Sequence, residues 1–125
     1  MRLTNMALVV RDYDEAIDYF TRVLGFSLVE DTPLPGKRWV RVKPPGGDMC
    51  LLLARAKNAA EESRIGNQTG GRVFMFLGTS SFHADYERLK KNSVRFVEEP
   101  RNEEYGMVVV FEDLYGNKWD LVEQH

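Results

Sequence analysis

Phe111-Glu112-Asp113-Leu114-Tyr115-Gly116-Asn117-Lys118-Trp119-Asp120-Leu121 reads as two strands joined by a tight turn. Asp113 is placed to bond the backbone of its own turn, and Gly116 is available for a residue with positive φ. Apolar residues flank the turn on both sides. In the second strand Asp120 stands between Trp119 and Leu121. Period-two alternation puts its carboxylate on the sheet face opposite those two neighbours.

Upstream, the chain runs through one order of elements twice. Leu3 to Val10 reads as a strand. Asp12 and Glu15 form a helix start, Asp12 capping and Glu15 reaching back. Ala16, Ile17, Phe20, Val23 and Leu24 recur at helical spacing until Gly25. Strands follow at about 26–31, 37–43 and 49–54, with turn residues from Pro33 to Gly36 and from Pro44 to Gly47. The second half begins with a strand from Arg72 to Thr79. Ser80 or Ser81 then caps a helix carrying Phe82, Tyr86 and Leu89, and strands follow near 94–99, 106–112 and 117–123.

The expected organisation is one domain of two modules, at about 1–56 and 71–125, joined by a polar linker over about 57–70. An offset of 69 carries Asn5 onto Phe74 and Leu51 onto Asp120. Two βαβββ modules in tandem make an α+β fold, a cupped and partly closed mixed sheet around a shared cleft.

Composition narrows the function classes. A length of 125 residues with 43% hydrophobic and 11% aromatic content suits one packed domain. A net charge of −2 supplies no basic field for nucleic acid. No apolar run reaches the roughly 20 residues that span a bilayer, so neither nucleic acid nor membrane is an expected partner. The single cysteine, Cys50, rules out an intrachain disulfide and fits a reducing compartment. Met1 to Val10 is too short and too polar for a signal peptide, so a cytoplasmic location is expected.

The Asp12 helix start, Leu24-Gly25-Phe26 and the Asp-x-x-Gly-Asn turn, in this order and spacing, resemble the vicinal-oxygen-chelate superfamily over nearly the whole chain. That superfamily includes glyoxalase I, extradiol dioxygenases, fosfomycin-resistance enzymes and bleomycin-resistance proteins. The resemblance implies metal ligands at four quasi-equivalent positions, here Asn5, Leu51, Phe74 and Asp120. Metal-using members usually carry Glu where this chain has Asp120. Leu51 and Phe74 cannot coordinate and Asn5 is a weak neutral ligand, so Asp120 alone could bind a divalent ion well. His83, in the first turn of the second helix, and the terminal His125 do not complete the set. No metal and no cofactor are therefore expected.

On the same parity Ala7, Leu53, Phe76 and Val122 join these four positions. Trp39, Arg41 and Lys43 share one strand face, and Val40 and Val42 take the other. Trp39, Leu51, Phe74 and Phe76 would offer aromatic and apolar walls, and Arg41 could grip an anion. Asn5 and Asp120 would fix orientation, and Gln68 could turn its amide into the cleft. Core packing accounts for the aromatics equally well, and a solvated edge accounts for Arg41 and Lys43. Cys50 is expected to point away from this face as an inert buried thiol.

The best-fitting function is metal-free binding of an aromatic or anionic small molecule, by analogy with bleomycin-resistance proteins, which are homodimers. Three alternatives stay open. One is a lyase or isomerase with Asp120 as general base, another is a metal-dependent enzyme with a different ligand set, and the last is a structural module. Exposed sheet edges favour a homodimer in every case.

Overall fold

The computed structural model describes residues 1–123, so the terminal position of His125 lies outside the described residues. The chain divides into two compact units, Met1–Ile65 and Gly66–His125. Each is a mixed sheet with helix packed on one face. Among the described residues no helix is long and apolar enough to cross a membrane.

In the first unit β1 (Asn5–Val10) is followed by α1 (Tyr13–Asp18), β2 (Ser27–Leu34), β3 (Lys37–Lys43) and β4 (Cys50–Arg55). The sheet order is β1-β4-β3-β2, with β1 parallel to β4 and the other pairs antiparallel. The Asp12 carboxylate accepts the Glu15 N–H at 2.9 Å, the expected cap. The Glu15 carboxylate instead grips the Arg11 guanidinium. A π-helical stretch, Tyr19–Val23, extends α1. The Thr21 hydroxyl donates to the Ile17 carbonyl at 2.7 Å there, a back-bond that bends helices. Phe20, Ala16 and Tyr13 bury one helix face against Leu8, Val10, Val40, Val42, Leu51 and Leu53.

The polar linker contains a short helix, α2 (Ala59–Glu62), capped by the Asn58 side chain. In the second unit β5 (Val73–Thr79) leads to α3 (Phe82–Lys91), β6 (Arg95–Phe96), β7 (Arg101–Glu103), β8 (Gly106–Glu112) and β9 (Lys118–Glu123). The order is β5-β9-β8-β6, with β7 also pairing β8. The single strand expected near 94–99 is thus two short ones that bracket Pro100, which has no N–H for a ladder. Ser81 is the N-cap of α3, yet its side chain makes no capping bond. The Thr79 hydroxyl does that work, accepting the Ser81 N–H at 2.9 Å and donating to Asp85 at 2.5 Å.

The 113–117 turn closes around Asp113, which is 1% exposed. Its carboxylate accepts the backbone N–H groups of Tyr115 and Asn117, the Asn117 amide and the Trp119 indole N–H, all at 3.0–3.1 Å. The Asn117 side-chain Oδ1 accepts in turn from the Gln68 N–H at 3.1 Å, tying the incoming loop to the turn.

Candidate functional site

Strand register decides which candidate side chains share a face. In the first unit Leu8 pairs Leu53 and Met6 pairs Leu51, while Asn5 pairs Cys50 and Ala7 pairs Leu52. Partners in register point to one side of a sheet. Leu51, 4% exposed, therefore lies with Leu8 and Val42 against the helix, and the expectation that it faces a ligand beside Asn5 is corrected. Leu53 moves with it. Cys50 is corrected in the other direction: it is buried, but on the Asn5 face.

Arg41 organises that open face. Its Nε donates to Glu30 at 3.0 Å, and its Nη1 reaches Cys50 Sγ at 3.3 Å and Asn5 Oδ1 at 3.5 Å. The structure thus brings Asn5 and Arg41 together, as expected, but the charge of Arg41 is paired with Glu30. Trp39 occupies the Arg41 face, and Val40 and Val42 are buried opposite, as the alternation implied.

In the second unit Phe76 pairs Asp120, and Asp120 pairs Val110. Phe76 and Asp120 therefore share a face, with Phe76 69% exposed. Phe74 does not join them. The β5–β9 register shifts between Val73 and Met75, and the Phe74 ring packs edge-on against Trp119 with centroids 6.0 Å apart. A bulge places its extra residue on the side of the residue it opposes, and here that is the buried Trp119 side. Gln68 serves its loop through its backbone N–H. His83 is exposed in the first turn of α3.

Asp120 is the unusual group. Its Oδ1 is buried and has no hydrogen-bond partner among the described residues. Burial pushes its carboxyl above the ordinary aspartate value, opposed by the positive charge of Arg101 and reinforced by the negative charge of Glu98. Arg101 is itself held by Glu98 at 2.7 Å and Glu103 at 2.6 Å. An acceptor left bare in an apolar setting is costly unless something outside the fold satisfies it.

The family profile described as Glyoxalase/Bleomycin resistance protein/Dioxygenase superfamily matches residues 2–121. The chain belongs to this superfamily. A relative from Shewanella frigidimarina, an uncharacterized protein, is 52% identical over 124 residues, spanning 97% of this chain and 92% of its own. Among solved structures UcmS2 superposes with a TM-score of 0.85 at 27% identity, covering 98% of this chain and 97% of that one. TnmS3, an antibiotic binding protein from Streptomyces sp. CB03234, gives 0.80 at 26% identity, with 100% and 97% covered.

The donor set does not suit the divalent ion that many superfamily members use. Among the described residues no group of three or more His, Cys, Asp or Glu side chains gathers. Asn5 Oδ1 faces a guanidinium, which is a poor neighbour for a metal ion. The register also shifts the repeat. Ala7–Leu52 in the first unit corresponds to Phe76–Asp120 in the second, so Leu52 rather than Leu51 is the counterpart of Asp120. Neither leucine coordinates.

Proposed function

We propose that the protein binds an aromatic small molecule without using a metal ion. The observation that carries this reading is the exposed Phe76 ring beside the half-buried Asp120 carboxylate on one sheet face. A flat ligand carrying an N–H or O–H would cover the ring and donate to the accessible edge of that carboxylate. The antibiotic binding described for TnmS3, at 26% identity over the whole chain, supports the same class of activity. Because Arg41 is engaged by Glu30, the open face beside Asn5 favours an anion less than the sequence suggests. A cytoplasmic homodimer is part of the proposal, supported by the lone free cysteine and by Leu28, Val29 and Leu34 exposed on edge strand β2.

The test is thermal-shift and calorimetric titration against aromatic antibiotics, each compared with an analogue lacking its amino or hydroxyl group. Phe76→Ala and Asp120→Asn should each weaken a hit at least tenfold. Binding unchanged in both variants would remove the site.

The raised Asp120 carboxyl favours a second reading, proton abstraction by Asp120 in an isomerase or lyase. The cation acting on Asp120 is Arg101, already held by two glutamates, so an enolate would gain little stabilisation from it. Binding is the better reading. Turnover of a carbonyl substrate that is lost in Asp120→Asn with Kd unchanged would reverse the order.

A further inference from the structure

Strands β3 and β4 pair over only three positions, Val40 with Leu53, Arg41 with Leu52 and Val42 with Leu51. Both strands continue beyond that point. β3 stays paired with β2 as far as Lys37, and β4 stays paired with β1 as far as Arg55. Each is therefore held by its outer neighbour while the two part from each other. The wedge between them encloses about 550 Å³, within the range of small-molecule sites.

We propose that this wedge is a binding site for a planar aromatic anion. The site lies within the first unit and does not depend on the Phe76–Asp120 reading. Its wall is apolar: Val9, Leu52, Ala54 and the half-buried Trp39 line it. Val9, Ala54 and Trp39 face the open side of the sheet, while Arg55 and Tyr13 line the wedge from the helix side. A ring lying in the gap between the strands therefore stacks on the indole and points its charged end at Arg55.

The charge at its rim comes from Lys37, Arg55 and Lys57, set against Glu61, whose carboxylate stands 4.0 Å from Lys57. Two guanidiniums flank the Tyr13 ring, Arg38 at 5.1 Å and Arg55 at 5.6 Å from its centroid. They are not equivalent. Arg38 is neutralised by Asp14 at 3.0 Å and Asp31 at 2.8 Å. Arg55 has no acidic partner among the described residues, and neither has Lys37. Arg55 is thus a guanidinium steadied by an aromatic face and short of an anion, in a chain whose overall charge is negative. A carboxylate, sulfonate or phosphonate matches its planar fork. A cationic ligand would be repelled, and a neutral one would leave that fork unused.

The experiment titrates 2-naphthoate into the full chain by calorimetry, with 2-naphthamide as the matched uncharged probe. Naphthoate should bind at least tenfold tighter than the amide and weaken as salt rises. Arg55→Gln, a change at an exposed position, should erase that preference while the amide's Kd stays within twofold. Trp39→Ala should weaken both probes at least tenfold; if that variant fails to fold, Arg55→Gln decides alone. Phe76→Ala should leave the naphthoate Kd within twofold. No naphthoate binding at millimolar concentration, or equal affinity for both probes, would overturn the proposal. So would loss in Phe76→Ala with Arg55→Gln unaffected, which would place the ligand at Phe76 instead.

Discussion

At Asp113 four N–H donors converge on one buried carboxylate, and the hairpin geometry depends on it. Asp113→Ala strands all four donors and should cost about 3–5 kcal/mol of unfolding free energy, measured by urea titration. Trp119→Phe removes one donor and should cost about 1–2 kcal/mol. Asp120 differs in its hydrogen bonding, since its buried Oδ1 has no partner among the described residues. Its carboxyl is raised above the ordinary 3.8, so the folded state holds the proton more tightly than the unfolded chain does. The stability this confers is complete below 3.8 and is lost as pH rises through the folded value. Asp120→Asn should therefore gain stability relative to the wild type between acid and neutral pH, checked by denaturant titrations at both. A shift in its favour toward acid would contradict the burial argument.

Loop and cap chemistry set the elements. Gly66 has φ of +76°, and a Cβ there would collide with the Tyr115 carbonyl oxygen. Gly66→Ala combines a left-handed backbone with a clash against main chain and should cost about 2–3 kcal/mol in a thermal or chemical melt. At the start of α3 the Thr79 hydroxyl does the capping. Thr79→Val should cost about 1–2 kcal/mol, whereas Ser81→Ala should change unfolding by less than about 0.5 kcal/mol. The reverse ranking would show that Ser81 caps the helix in solution. Local sequence reveals a helix start here but not its capping group, because Thr79 still belongs to the preceding strand.

For the whole molecule, a ligand that binds only the folded chain must stabilise it by mass action. An aromatic ligand at 100 times its Kd should raise the unfolding free energy by about 2.7 kcal/mol, read as a concentration-dependent rise in Tm. Most of the architecture is legible in the sequence. The Asp12 cap, the Phe20 helix face and the Asp113 turn are local features, and the twice-repeated order of elements places them. The site is less legible. On β3 the contrast between Val40, Val42 and the polar residues around them reveals the faces. On β4 Cys50, Leu51, Leu52 and Leu53 are all apolar, so alternation has nothing to contrast.

Legible before folding are the superfamily resemblance, the α+β repeat, the turn around Asp113 and the shared face of Phe76 and Asp120. These rest on neighbours a few residues apart, on period-two alternation, or on the order in which the same elements recur along the chain. Long-range strand pairing settles that Leu51 packs inward while Cys50 meets Arg41, because the pairing of Leu8 with Leu53 fixes the register across 45 residues of chain. It alone moved Phe74 onto Trp119, through a bulge that alternation cannot foresee. It also parted β3 from β4 and left Arg55 beside Tyr13 with no acidic partner among the described residues. Register, bulges and strand divergence are long-range properties of backbone pairing, and no local pattern of side chains encodes them.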